Sequence, residues 1–378
     1  MEQRNLQNNI VGLEASRLFA RSEINMGVDA FRDSLYAMLK RNTFLNIKFE
    51  NMLDTLGEMS RTDLYSYLKE WEQLTPLPFY SIGEPELTKV VNKGGEEFFV
   101  LKVLVSNNSD YDGIIQMNVL QNGWWYQPME DPRARKKVEI AAHTSKEFVS
   151  VWEEQIRDVE INTMVSGNLP YMIRQSIGNV KQERNKIVKD TIYTLPESSL
   201  EMPGEVIVDN EDSTLFVLST PAVVGLLPKW LDKVEDTSFK YSGISWWRAP
   251  LQWTATTNAK YYGKYIRSAY VIKSGDGSQT ATWKIPVPEA GQYELYYHVF
   301  KDDELRWNDR LQGEYHFRVA YDSEMEDAYI NLRKANEGWE QLGTYYFSAD
   351  TVRVVLTDEC KLLSLIHISE PTRHAQIS

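Results

Sequence analysis

Cysteine is almost missing from this sequence of 378 residues, and histidine occurs only five times. Cys360 stands alone, so the chain cannot form an intrachain disulfide, and each folded unit must depend on its own hydrophobic core. No histidine is followed by another one four positions later. This excludes the pair of imidazoles, one helical turn apart, with which many catalytic zinc sites begin.

Excess positive charge and long apolar runs are also lacking. The formal net charge is −13, and no run of lysine and arginine is long enough to reverse it locally. Such a chain repels polyanions, so we expect no nucleic-acid partner. No stretch approaches the roughly 18 to 20 uninterrupted apolar residues of a membrane span, and the start of the sequence shows no secretory signal.

Aromatic residues, in contrast, are plentiful. They make up 12% of the chain, and most of the eleven tryptophans lie in its second half. That half is rich in short strand-like segments separated by turn residues. The distribution favours an aromatic-rich β module towards the C-terminus.

The first part of the chain has the periodicity of helices. Val28, Phe31, Leu35 and Met38 recur at helical spacing, and Ser60 has the side chain of an N-cap for a further helix. We therefore predict a helical segment over residues 1–78.

Alternation with a period of two follows, which predicts strands. The fold class is multidomain, α then β, with two antiparallel β-sandwich modules after the helices. We expect an Ig-like sandwich at 79–170, a partly helical linker at 171–203 and a jelly-roll-like sandwich at 204–362. Trp283, Tyr293, Trp339 and Phe347 are predicted core residues of the second sandwich.

The end of the chain is unusual. LSLIHISEPTR, which begins at Leu363, resembles the translation of a sequencing-library adapter. We expect residues 363–378 to be a non-native tail and the second sandwich to be truncated. A sandwich without its closing strand would expose an unpaired edge.

One aromatic cluster is a candidate binding site. Aromatic faces stack on the apolar faces of sugar rings, and tyrosine and tryptophan add a polar group for hydroxyls. The alternative is that the same side chains pack in the core or against a neighbouring domain, and both interpretations stay open. The candidates are Trp246, Trp247, Trp253, Tyr261, Tyr262 and Tyr265.

Other polar groups are weaker candidates. Asp302, Asp303, Glu304 and Asp309 form an acidic run, and Asp322, Glu324, Glu326 and Asp327 follow it. These carboxylates could hold Ca²⁺ or act as an acid and base pair, but their spacing favours a solvated loop. His298 and His316 are predicted on neighbouring strands, without a third ligand. We assign no catalytic residue, no metal site and no cofactor to this sequence.

Residues 25–172 resemble the end of the helical region, and the following β-sandwich, of gluzincin-type zinc aminopeptidases from the bacterial envelope. The similarity lies in MGVDAFRDSLYAMLKRNTFLNIKFENMLDTLGEMSRTDLYSYLKEWEQLTPLPFYSI, in VSNNSDYDGIIQMNV and in TMVSGNLPYMI. The His-Glu-x-x-His motif of that family is absent. The resemblance therefore implies that any zinc site belongs to a missing upstream region.

Residues 204–362 resemble the golvesin and xanthan lyase carbohydrate-binding-like domain. The matching segments are VIVDNED at 206–212, ATWKIPVPEAGQYELYYHV at 281–299, YHFRVAY at 315–321 and GWEQLGTYYF at 338–347. This resemblance implies a β-sandwich that binds polysaccharide.

Two functional hypotheses follow. The first is a noncatalytic accessory fragment of an envelope protein related to zinc aminopeptidases, which contacts a polysaccharide or another envelope protein. The second is a polysaccharide-binding module without a peptidase. Both imply a periplasmic or cell-surface location, and a lyase or hydrolase in its own right is a third, less supported interpretation.

Overall fold

The computed structural model divides into two compact units, Met1–Leu200 and Glu201–Ser378. Each unit has its own hydrophobic core. Among the described helices, none has the length and apolar character of a bilayer-spanning segment. The described residues are 2–72, 76–121, 131–178, 180–184, 188–198, 200, 205–219, 240–241, 250–301, 313–361, 366–368 and 372–376.

Helices form the first part of unit 1. They are α1 Glu2–Met26, α2 Val28–Arg41, α3 Phe49–Ser60 and α4 Leu64–Glu72. Gly27 has a φ of 85°, a conformation that glycine adopts without the steric cost of a side chain, and it separates α1 from α2. A shared core joins the helices through Leu18, Met38, Leu53, Leu56 and Leu64.

The cap of α4 differs from the prediction. Ser60 is the last residue of α3, and its hydroxyl donates to the carbonyl of Leu56 at 2.6 Å. Asp63 occupies the capping position instead, because its carboxylate accepts from the backbone N–H of Ser66 at 3.1 Å. A carboxylate next to the first turn also stabilises the positive end of the helix dipole.

Two sheets face each other in the rest of unit 1. One has the order β10-β6-β3-β2-β9, with β1 paired to β3, and the other has the order β5-β4-β7-β8. Leu101 and Phe148 from the first sheet share a core with Met117 and Val159 from the second. The strands are β1 Tyr80–Ile82, β2 Glu86–Val91, β3 Glu97–Asn107, β4 Gly113–Gln121, β5 Arg135–Ile140, β6 Thr144–Trp152, β7 Ile156–Asn162, β8 Met172–Ser176, β9 Val180–Arg184 and β10 Thr191–Pro196.

The predicted partly helical linker at 171–203 is wrong in its described residues. They form β8, β9 and β10, which pair with β7, β2 and β6 respectively. Local charge favoured a helix, but these segments complete the backbone hydrogen bonding of both sheets, and tertiary pairing overrides a weak local preference.

Ion pairs attach α1 to this sandwich. Arg21 bonds to Glu139, and Lys137 bonds to Glu23, so each pair links the helix to β5. Ala20 of α1 also packs with Ile114 of β4. Helix and sandwich are therefore one compact unit.

The described residues of unit 2 form three sheets. Their orders are β11-β22-β16-β19, β12-β15-β20-β17-β18 and β13-β14-β21. The strands are β11 Glu205–Val208, β12 Phe216–Ser219, β13 Thr254–Thr257, β14 Ser268–Ile272, β15 Thr280–Pro286, β16 Gly291–Val299, β17 Glu314–Tyr321, β18 Glu324–Asn331, β19 Gly338–Phe347, β20 Thr351–Lys361, β21 Ile366–Ile368 and β22 Thr372–Gln376.

The core of unit 2 is rich in aromatic rings. Trp283 of β15 is fully buried, and its ring lies 5.3 Å from that of Phe216 and 6.1 Å from that of Tyr297. Tyr293 and Phe347 are also buried, as predicted, and stack at 5.8 Å. The two larger sheets pack face to face through these rings.

The C-terminal segment does not leave the edge unpaired, contrary to expectation. β22 lies between β11 and β16, and β21 pairs with β14. Strand pairing uses backbone groups that every residue except proline supplies, so a segment of any origin can take this place.

Trp283 should carry a large share of the stability of unit 2. Replacing Trp283 with alanine removes a fully buried ring and leaves a cavity, which we expect to lower the free energy of unfolding by about 3–5 kcal/mol. Urea titration followed by circular dichroism measures the change. Thr282→Ala, on the opposite face of the same strand, is the matched control and should cost less than about 1 kcal/mol. A similar loss in both variants would contradict this account of the core.

Candidate functional site

Four of the six aromatic candidates lie in the described residues. Trp246 and Trp247 lie outside the described residues. Trp253 packs against the main core of unit 2, which makes it structural. Tyr261, Tyr262 and Tyr265 lie in the loop that joins β13 to β14.

The loop 258–267 is ten residues long and held at its base. The N–H of Asn258 donates to the carbonyl of Arg267 at 3.3 Å, and the N–H of Tyr261 donates to the carbonyl of Asn258 at 3.1 Å. The side chain of Asn258 accepts from the N–H of Lys260 at 2.9 Å, a turn that asparagine favours. These hydrogen bonds therefore fix the backbone conformation of the first residues of the loop.

Gly263 shapes the far side of this loop. Its φ is 153°, and a Cβ there would lie 2.1 Å from the carbonyl oxygen of Ile266. No side chain fits at that distance. The close approach of the two backbone segments therefore requires glycine.

Three rings meet where the loop touches the sheet of β16 and β19. Tyr262 lies 5.3 Å from His298 and 5.1 Å from Trp339, measured between ring centroids. His298 and Trp339 are 5.2 Å apart. All three side chains are partly exposed. We call these residues the three-ring cluster.

Strand geometry explains why His298 and Trp339 meet. They are direct cross-strand partners in the pairing of β16 with β19. Tyr297 and Val299, on either side of His298, point into the core, so His298 faces the opposite side of the sheet. Trp339 was predicted as a core residue, but its partly exposed ring belongs to the outer face.

The other loop tyrosines differ from Tyr262. Tyr261 is only 4% exposed, and its ring meets that of Phe300 edge-on at 4.7 Å. Tyr261 is therefore an anchor of the loop. Tyr265 is partly exposed, and the Nζ of Lys264 lies 5.7 Å from its ring centroid.

Arg267 is a further residue of this site, and the sequence interpretation missed it. The side chain is 8% exposed, and its Nη1 donates to the carbonyl of Tyr261 at 3.2 Å. Burial lowers the pKa of Arg267 to about 10. The only available signal was a loop, NAKYYGKYIR, with basic residues and no acidic ones.

His298 shares this environment. Burial, followed by the charge of Arg267, lowers the pKa of His298 to about 3. The imidazole is therefore neutral over the whole physiological range. A neutral ring can pack on tyrosine and tryptophan without further loss of solvation.

The prediction that His298 and His316 lie on neighbouring strands is wrong, since the two residues lie in different sheets. His316 stacks on Tyr329 at 4.8 Å, and its Nε2 lies 2.7 Å from the carboxylate of Asp327. The acidic run from Asp302 to Asp309 lies outside the described residues. In the remainder, no group of three or more histidine, cysteine or acidic residues is arranged to hold a metal ion.

A family model, the Golvesin C-terminal domain, matches residues 246–365. The matched segment contains the loop 258–267 and all residues of the three-ring cluster. This match supports the predicted C-terminal β domain. No curated protein matches the chain. The resemblance of residues 25–172 to zinc aminopeptidases finds no support in these comparisons and stays a hypothesis.

Solved structures give only distant likenesses. A Paenibacillus xanthan lyase is 15% identical with a TM-score of 0.32, and the alignment covers 80% of this chain and 27% of that one. A Bacteroides uniformis β-glucuronidase is 10% identical with a TM-score of 0.22, covering 85% and 32% respectively. The chain thus spans about a quarter of the length of the lyase. Likenesses this weak do not establish a shared fold.

Gly263→Ala should distort the loop. The added methyl group would clash with the carbonyl of Ile266, and we expect unfolding to become easier by about 1–3 kcal/mol. Gly338→Ala is the matched control, because Gly338 also has a positive φ, 105°, but nothing within 4 Å of the added carbon. Urea titration of both variants tests this. An equal, small effect would mean that the loop is not held as described.

His298 should make the stability of unit 2 depend on pH. Its pKa falls from about 6.5 to about 3 on folding, so its stabilising contribution is present above pH 6.5 and is lost as pH decreases towards 3. We expect the free energy difference between wild type and His298→Gln to change by about 1.4 kcal/mol per pH unit in that window.

The comparison with the variant is necessary because Asp209 acts in the opposite direction. Burial raises the pKa of Asp209 to about 7, so its contribution grows as pH decreases from 7 towards 4. Asp209 is present in both proteins and cancels in the difference. Parallel pH profiles of wild type and variant would contradict the assignment to His298.

Proposed function

We propose that unit 2 is a carbohydrate-binding β-sandwich module and that the three-ring cluster, with the loop 258–267, is its sugar-binding surface. The cluster is the observation that carries this proposal. Tyr262, His298 and Trp339 come from three separate segments and converge on the outer face of a sheet whose inner face already fills the core. The hydrophobic core therefore does not account for them.

The chemistry of these rings suits a sugar. The axial C–H groups of a pyranose pack against aromatic faces, and tyrosine, tryptophan and histidine are residue types that can also form hydrogen bonds with sugar hydroxyl groups. Partial exposure leaves room for such contact, and positions on two paired strands hold His298 and Trp339 rigidly. The resemblance of residues 204–362 to carbohydrate-binding-like domains supports the same conclusion.

The module has no assigned catalytic role in this proposal. Its partner is a polysaccharide, and its location is the periplasm or the cell surface. A parent protein related to zinc aminopeptidases is a separate hypothesis that rests on the sequence resemblance alone. Reading the gene upstream of Met1 tests it, and a frame without a zinc-binding helix would exclude it.

Binding measurements on the whole chain test the sugar site. We expect Tyr262→Ala to weaken retention on a panel of soluble polysaccharides by about tenfold, because a stacked ring contributes on the order of 1 kcal/mol or more. Tyr262→Phe should keep most of the affinity, since it retains the ring. Affinity electrophoresis gives the dissociation constants, and circular dichroism verifies folding.

Tyr346→Ala is the matched control. Tyr346 lies on the same strand as Trp339, is 66% exposed and is not part of the cluster. It should bind as wild type does. Equal affinities for the Tyr262→Ala and Tyr346→Ala variants would reject the three-ring cluster as the site, and the rings would then be explained by packing alone.

A further inference from the structure

The loop 258–267 differs in charge from the protein that carries it. The chain has a net charge of −13, yet these ten residues contain Lys260, Lys264 and Arg267 and no aspartate or glutamate. Within a Debye length of about 8 Å, local charges outweigh distant ones. The side chains of the loop therefore carry a charge opposite in sign to that of the whole protein.

Arg267 is the least solvated of these three cations. The guanidinium has five N–H donors, of which Nη1 is bonded to the carbonyl of Tyr261. Its Nε is buried, and no acceptor for it exists in the described part of the chain. A buried donor without an acceptor destabilises a fold. Folding stability therefore does not explain why an arginine is buried at this position.

A buried arginine is normally paired with a carboxylate. Within the described residues Arg267 makes no ion pair with a carboxylate, and burial lowers its pKa by more than its interaction with Tyr262 raises it. Two acidic residues of unit 2 pair with other side chains: Glu211 pairs with Lys240, and Asp327 pairs with His316. The counter-charge of Arg267 is therefore absent from the described protein.

The neighbours of Arg267 do not supply that charge either. His298, which feels the charge of Arg267, is neutral at physiological pH. Tyr262, which also interacts with the charge of Arg267, is a phenol and not a carboxylate. The site is thus a set of aromatic rings beside one cation whose guanidinium is pre-positioned by the loop.

We propose that the loop 258–267 recognises an acidic sugar, in which a carboxylate binds the guanidinium of Arg267 while the sugar ring packs on the three-ring cluster. A uronic acid combines these two groups in a single residue. Arginine and carboxylate form strong, directional hydrogen bonds, and this strength grows in a partly desolvated site. The inference rests on the proposed function and adds the class of sugar.

Ligand pairs that differ only in charge test the proposal. The probes are polygalacturonate, polymannuronate and polyglucuronate, each beside its carboxyl-reduced, neutral counterpart, titrated calorimetrically into the whole chain. We expect at least one polyuronate to bind tenfold or more tightly than its neutral counterpart. Equal or tighter binding of the neutral member would overturn the preference for acidic sugars and leave the proposed function intact. If no acidic or neutral polymer binds, both proposals fail.

Variants of Arg267 test whether this residue causes the preference for acidic polymers. In Arg267→Met, the acidic polymer should bind only as tightly as its neutral counterpart, whose own affinity should not change. Arg267→Lys keeps the charge but loses the planar fork, and its preference should be intermediate. Arg353→Met is the control, because Arg353 is exposed on β20. A preference for acidic polymer that survives in Arg267→Met would overturn the role of Arg267.

The stability of the free protein separates binding from folding. If Arg267 serves a ligand, its unpaired burial is a liability, and Arg267→Met should have an equal or higher Tm without ligand. A purely structural role predicts a lower Tm instead. If the variant does not fold, that structural role is established and the proposal is overturned for this residue.

Discussion

The two-residue period of β16 is the constraint on which unit 2 depends. Tyr293, Leu295, Tyr297 and Val299 fill the core between two sheets, and this fixes which side of the strand is left over. His298 is on that other side, and the register with β19 places Trp339 opposite it. A shift by one residue would exchange the two faces. The alternation of β16 therefore determines both the core packing and the position of the three-ring cluster.

Electrostatics in the same region oppose stability. Burial lowers the pKa of both Arg267 and His298, and the charge of Arg267 further disfavours the charged form of His298. Binding sites often keep such arrangements because the missing partner arrives with the ligand. The conformation of the site is thus maintained by the hydrogen bonds of the loop and by the sheet. The stability of that sheet comes from the hydrophobic core of unit 2.

The sequence predicted what local patterns determine. Alternation in GQYELYYHV identified a strand, and the predicted burial of Trp283, Tyr293 and Phe347 in strand-like segments is confirmed. Contacts that depend on pairing between distant segments could not be predicted. No local pattern shows that Tyr262, His298 and Trp339 meet, or that His316 lies in another sheet. The same limit explains the linker, where β8, β9 and β10 replace the expected helix.

The cap of α4 was also predicted wrongly. Ser60 and Asp63 both have side chains that can cap a helix and lie within one turn of each other, and only the geometry shows that Asp63 is the cap. The Ig-like and jelly-roll assignments and the predicted domain boundaries stay predictions.

The way in which the loop 258–267 is closed has an evolutionary consequence. Its two ends are tied together by Asn258 and Arg267 at the base, and β13 and β14 on either side pair through their own backbones. The residues between them, apart from Tyr261 and Gly263, can change with little effect on the register of the strands. Recognition could therefore diversify by substitution within one short peptide while the scaffold is conserved, much as antibodies vary their loops. An exchange of this decapeptide between related domains would then transfer ligand preference without redesigning the fold.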